Sequence, residues 1–235
     1  MPAEPSRTVD LNADLGEEVT DDPGLLAVVT SANVACGFHA GTPETMRLVC
    51  AEAARTGVVV GAQVSYRDRP NFGRVAHDLP SRELRDQVAE QIATLSGIAA
   101  SEGTSMRYVK PHGALYHRVG WDAEQAAAVL DGSAGLPVLG FPGSRFLALA
   151  SAAGRPSYAE GFPDRGYVDG RLIDRGESGA LLTDAEEIAA HAVALAPGVA
   201  SLCVHGDSAD AVDHAHAVRR ALEAAGYVLA PFLPP

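Results

Sequence analysis

Three histidines, His39, His112 and His205, each stand where a short apolar run gives way to glycine and polar residues. Acids occupy the same kind of position. The first run reads Asp10-Leu11-Asn12-Ala13-Asp14-Leu15-Gly16-Glu17, and a later one ends at Glu160, with Asp164 and Arg165 close behind. A fourth run ends Lys110-Pro111-His112-Gly113, and the run before His205 is followed by Asp207. Imidazoles and carboxylates so placed can move protons, and a lysine or arginine can neutralise a developing oxyanion. One histidine at a strand end is ordinary; three, with acids beside them, point to one shared site. His with carboxylate also suits a divalent metal, but neither HExxH nor another compact ligand spacing occurs, so no metal ligand is assigned. Ser65 lacks the GxSxG setting of a serine nucleophile. No GxxxxGK[ST] is present, and no GxGxxG follows the first run, so nucleotide binding through those loops is not expected. His214 and His216, among Asp210, Asp213 and Arg219, read as a solvated helix face.

The runs that carry these residues alternate with amphipathic segments. Candidate strands cover Val9–Leu15, Asn33–Phe38, Val58–Ala62, Arg107–Lys110, Pro137–Phe141, Ser157–Phe162, Ser201–Val204 and Tyr227–Phe232. The β-branched run from Val58 suits a strand buried on both faces. Between them, Thr42-Pro43 is an N-cap followed by proline at the first helical position, and Gly57 closes that segment. Leu84, Val88, Ile92, Leu95 and Ala99 mark a longer helix. Asp122 to Gln125 and Thr183 to Glu186 read as capping boxes, and a last helix starts near Ser208. Strand–helix alternation throughout predicts an α/β fold with a parallel sheet, whose functional edge is the carboxyl end of the strands. Two long loops, Ser65–Pro80 and Asp164–Leu182, have the length of functional lids. Asp164-Arg165-Gly166 and Asp174-Arg175-Gly176 read as the arms of a hairpin.

The 235 residues are read as a single domain, 1–235, long enough to bury about 70% of the unfolded surface. A net charge of −12 argues against nucleic acid and anionic membrane as partners. Cys36, Cys50 and Cys203 are odd in number and widely spaced, as expected of buried thiols in a reducing compartment. No run approaches the ~18 apolar residues of a membrane span, and MPAEPSRTVD lacks the apolar region of a signal peptide. A cytoplasmic soluble protein is the expectation.

The segments VDLNADLGE (9–17), SANVACGFHAGTP (31–43), SYRDRPNFGR (65–74), VKPHGALYH (109–117), DRGYVDGRLIDRGESGALL (164–182) and CVHGDS (203–208) closely resemble the LamB/YcsF family, in family order. The resemblance implies a distorted (β/α) barrel of about seven parallel strands, like glycoside hydrolases and deacetylases. It implies ATP-dependent opening of 5-oxo-L-proline to L-glutamate. It also implies partners, 5-oxoprolinase subunits B and C, with ATP handled by them. In that reading Asp14 or His112 activates water, and Lys110 and Arg165 neutralise negative charge. His39 and His205 orient or protonate the leaving nitrogen, while Glu160 and Asp207 hold the imidazoles. Asn12, Gln63, Tyr66 and Arg74 complete the substrate contacts. The chain departs from the family at one place: Gly61-Ala62-Gln63-Val64 stands where the family reads Gly-Ala-His-Pro. Glutamine neither titrates near neutrality nor readily ligates a transition metal, but it can hydrogen-bond a lactam. Two alternatives stay open. One is a stand-alone metal-dependent hydrolase using Asp14, His39 and His112; the other is a scaffold subunit without catalysis.

Overall fold

The computed structural model describes residues 7–19, 21–208 and 210–234. Most of the N-terminal stretch read for a signal segment lies outside that range. Seven parallel strands close into a barrel: β1 (Arg7–Leu15), β2 (Ser31–Ala35), β3 (Val59–Val64), β4 (Met106–Pro111), β5 (Val138–Gly140), β6 (Ser157–Gly161) and, after a hairpin, β9 (Ser201–Val204). The hairpin strands are β7 (Tyr167–Val168) and β8 (Arg171–Leu172). Closure is made by β9, which pairs Ser201 with Glu160 of β6 on one side and with Asp10 of β1 on the other. A short last strand, β10 (Tyr227–Leu229), runs beside the first three residues of β1. Among the described residues no helix is long and apolar enough to cross a membrane.

Helices pack outside the barrel. They are α1 (Asp22–Leu26), α2 (Pro43–Thr56), α3 (Ser81–Ser101), α4 (Gly113–Val119), α5 (Ala123–Gly132), α6 (Arg145–Ala152), α7 (Ala185–Leu195) and α8 (Ala211–Ala224). The start of α2 is as read: Thr42 and Thr45 cap reciprocally, Pro43 follows, and Gly57 ends it in the left-handed region. The capping reading at Thr183 is corrected by one residue. Asp184 is the N-cap and accepts from the Glu186 and Glu187 amides; a carboxylate there also gains from the helix dipole. Asp122 caps α5, but the side chain of Gln125 turns to the Leu79 carbonyl instead of closing a box. Strand β2 stops at Ala35, because Gly37 (φ +91°) turns the chain and bonds back to Ala40. His214 is also corrected: it is buried under α8, while His216 is exposed.

Alternation along β1 sends Leu11, Ala13 and Leu15 outward into the helix layer and Asp10, Asn12 and Asp14 inward; all six are buried. The barrel interior is therefore polar and hydrogen-bonded in layers. Asp10 accepts from the hydroxyls of Thr30, Ser31 and Ser201 at the floor. Above it, Asn12 donates to Ser201 (2.6 Å) and accepts from Asn33 (2.6 Å). Tyr108 fills the remaining width and donates to Asn33 (2.6 Å). Its ring needs the missing side chain of Gly61 on β3, where a Cβ would lie 2.2 Å from the ring.

Candidate active site

The third layer, at the carboxyl end of the strands, holds the candidate site. Lys110 ends β4 and reaches across the barrel to Asp14 Oδ1 (3.1 Å), Glu160 Oε2 (3.1 Å) and Cys203 Sγ (3.0 Å). Burial opposes its charge, but Asp14 and Glu160 outweigh burial and hold the ammonium well above its ordinary range. Burial pushes Asp14 up; Lys110, ahead of His205 and His112, overcomes that and leaves it below the usual carboxylate range. For Glu160 burial wins over Lys110, and its pKa is raised.

Two positions on, past Pro111, His112 stacks on His39 with ring centroids 4.0 Å apart. Its Nδ1 accepts from the Gln63 amide (2.8 Å), and its Nε2–H donates to the Phe72 carbonyl (3.1 Å). Burial, then the neighbouring His39, push its pKa well down, so the ring is neutral. Gln63 also donates to Glu17 Oε1 (3.0 Å). Glu17 is buried, and its pKa is raised by that burial. Both ring nitrogens of His39 are buried without a hydrogen-bond partner among the described residues.

Glu17, His39 and His112 could hold a metal ion, their ligand atoms lying within 4.8 Å of one another. The free nitrogens of His39 and the neighbouring carboxylate fit such an ion. The Gln63 amide nitrogen donates to two of the same donor atoms, so a cation there would have to displace it. Asp14, the third ligand of the metal alternative, gives its Oδ1 to Lys110 instead.

His205 follows β9. Its Nδ1 bonds Asp164 (2.8 Å), which also accepts from the His205 amide (3.0 Å). Burial raises Asp164, but His205 beside it brings it below its usual range. With Nδ1 bound, Nε2 is the nitrogen left for chemistry. A cavity of about 220 Å³ is lined by Asp14, Lys110, His112, His205, Phe162 and Arg165, among others.

Of the remaining residues singled out in the sequence, Arg74 also lines this cavity. Arg165 spends its guanidinium on the carbonyls of Ala180 and Ile173, fixing the hairpin base. Tyr66 is buried toward α5, where it bonds Gln125, and does not reach the cavity. Asp207 holds no imidazole; it pairs with Arg74 and Arg175 at the rim, and Asp164 orients His205 instead. Asn12 lies one layer below and bonds Lys110 at 3.5 Å. Glu17 was not singled out, because it follows Gly16 (φ +72°), past the reach of strand alternation.

A closed parallel barrel with a buried ionic site at its carboxyl end belongs to the deacetylase-like (β/α) barrels. A peptidoglycan N-acetylglucosamine deacetylase shares the fold at TM-score 0.56 and 14% identity, over 98% of this chain and 87% of that one. The LamB/YcsF family model matches residues 9–234, and the chain belongs to that family. The A subunit of 5-oxoprolinase from Streptomyces avermitilis is 52% identical over 95% of this chain and 99% of its own length. The crystal structure of the lactam utilization protein from Thermus thermophilus superposes at TM-score 0.89 and 35% identity, covering 95% and 99% of the two chains.

Proposed function

We propose that this chain is the ring-opening subunit of an ATP-dependent 5-oxoprolinase, acting in the cytoplasm with partner subunits B and C. The observation that carries the reading is the joint presence of Lys110, Asp14 and the His205–Asp164 pair on one cavity, in a chain half identical to proteins of that name. A lactam resists water because amide resonance stabilises it. Phosphorylation of its oxygen by the partners would make the ring carbon electrophilic, and the lack of a phosphate-binding loop in this chain supports that division of labour. Water then adds to the carbon and the C–N bond breaks. The geometry favours His205 Nε2 for the proton transfers, with Asp164 holding its ring. His112 is less suited to the role of base, since both of its nitrogens are engaged. Lys110, fixed between two carboxylates, would offset the negative charge that develops on oxygen.

The test is glutamate release from 5-oxoproline and ATP. Release is expected only when this chain and its partners are combined. Turnover by the partners alone would overturn the reading.

The Glu17, His39 and His112 set favours a second reading, a metal-dependent amide hydrolase. A bound divalent ion would supply Lewis-acid polarisation of the amide oxygen. Stoichiometric zinc, cobalt or nickel retained after dialysis, with amide hydrolysis that needs neither ATP nor partners, would select it.

A further inference from the structure

Two guanidiniums from different loops meet on one carboxylate oxygen above the cavity. Arg74 comes from the loop after β3 and Arg175 from the segment after β8. Both donate to Asp207 Oδ2, Arg175 at 2.9 Å. Both arginines line the cavity; Asp207 does not. Arg74 also lies over the Phe72 ring at 4.9 Å, above the histidine pair. Among the described residues neither guanidinium has another hydrogen-bond partner. Each has five N–H donors, so several remain directed to the mouth of the cavity. The charge there is in surplus. Arg74, Arg165 and Arg175 stand against Asp174 and Asp207, three positive to two negative, in a chain whose net charge is −12. Arg74 and Arg175 are only partly buried, which suits groups that exchange partners.

We propose that Arg74 and Arg175 form a two-armed site for the carboxylate of an anionic lactam, and that Asp207 is the positioning residue that presents them. This rests on the lactam reading above and adds its specificity. A planar fork fits a carboxylate, and two forks from opposite loops fix its orientation while the ring reaches inward toward Lys110 and His205. Ligand binding would also tie the two loops together over the site.

Calorimetry on the full chain tests this with 5-oxoproline and with 2-pyrrolidinone, the same lactam without its carboxylate. The wild-type chain is expected to prefer 5-oxoproline by roughly tenfold to a hundredfold, the effect of charge-assisted contacts. Arg74→Ala and Arg175→Ala should each bring the two compounds to near-equal affinity without weakening 2-pyrrolidinone. If either variant keeps the full preference, the carboxylate site is elsewhere. A chain that binds neither compound contradicts the lactam reading instead. The positioning role has its own readout: trypsin should cut after Arg74 and Arg175 several-fold faster in Asp207→Asn. Unchanged cutting at both sites overturns it.

Discussion

Lys110 answers to two kinds of argument at once. As a side chain on a closed barrel's inner face it is an ion-pair partner, 3.1 Å from both Asp14 and Glu160; as a cavity-lining cation it is available to a reacting oxygen. Lys110→Met would strand two buried carboxylates, and its thermal midpoint should fall with a loss of ~3–5 kcal/mol. A loss of turnover in that variant alone therefore decides nothing. The informative protein is Lys110→Met with Glu160→Gln, which removes one stranded charge with the cation. Its midpoint should return part of the way toward wild type while turnover in the complete complex stays down by on the order of a hundredfold. Turnover that returns together with the midpoint would reduce Lys110 to a structural role. The approach of Lys110 and His112 to one cavity was legible in the sequence, since positions two apart on a strand share a face. Their partners were not. Asp164 was visible as a nearby acid, but only folding shows that it, and not Asp207, meets His205. The Arg74–Asp207 contact spans 133 residues and leaves no local pattern.

Among the elements, the loop after β3 does the most to shape the site. It is tied down by Asp68, whose carboxylate accepts from Asn71 and Val75 and whose carbonyl accepts from Gly73. Two of its arginines look outward: Arg67 bonds Glu90, and Arg69 bonds Gly41 and Glu18. The loop thus lies closed over the histidines, with Phe72 edge-on to both rings. Gly73 makes this closeness possible. Its φ is +68°, and a Cβ there would lie 2.3 Å from Ser65 Oγ and 2.9 Å from His39 Cβ. Gly73→Ala should therefore lift the loop and break the Phe72–His112 hydrogen bond, at a cost of ~1–3 kcal/mol for the backbone alone. The expected result is faster protease cutting in residues 65–80 and reduced turnover, with far-ultraviolet circular dichroism unchanged; wild-type cutting rates would refute the account. Loop length marked this segment, and the hairpin between the two Asp-Arg-Gly triplets, as special. The short helices α1, α4 and α6 were not anticipated, because five to eight residues give the 3.6-residue period too few turns to register.

At the scale of the whole molecule, strand–helix alternation announced a parallel sheet, but closure is a long-range property. It depends on Ser201 of β9 reaching Asp10 of β1, 191 residues apart, and the sequence signals only that both are small or polar residues in apolar runs. Asp10 sits where the barrel closes, accepting from Ser31 on β2, Ser201 on β9 and the adjacent Thr30. Burial raises its pKa to about 6 against the pull of those three hydroxyls. Its protonated form is therefore the one that the fold favours. The associated stability is complete below the ordinary carboxylate range of about 4 and is lost as pH rises through about 6, a change of ~3 kcal/mol. Other groups work the opposite way over acid pH. The pKa values of Asp14, Asp164 and Asp207 are lowered and their contribution fades as pH falls, and neutral, buried His112 adds to that trend. A comparison with Asp10→Asn removes these common contributions. Asparagine keeps an accepting oxygen for the hydroxyls and cannot ionise. The midpoint of Asp10→Asn should therefore rise relative to wild type between pH 4 and pH 7.5, with most of the change centred near pH 6. A difference that stays constant across that range would mean that Asp10 is already ionised in the closed barrel at pH 4.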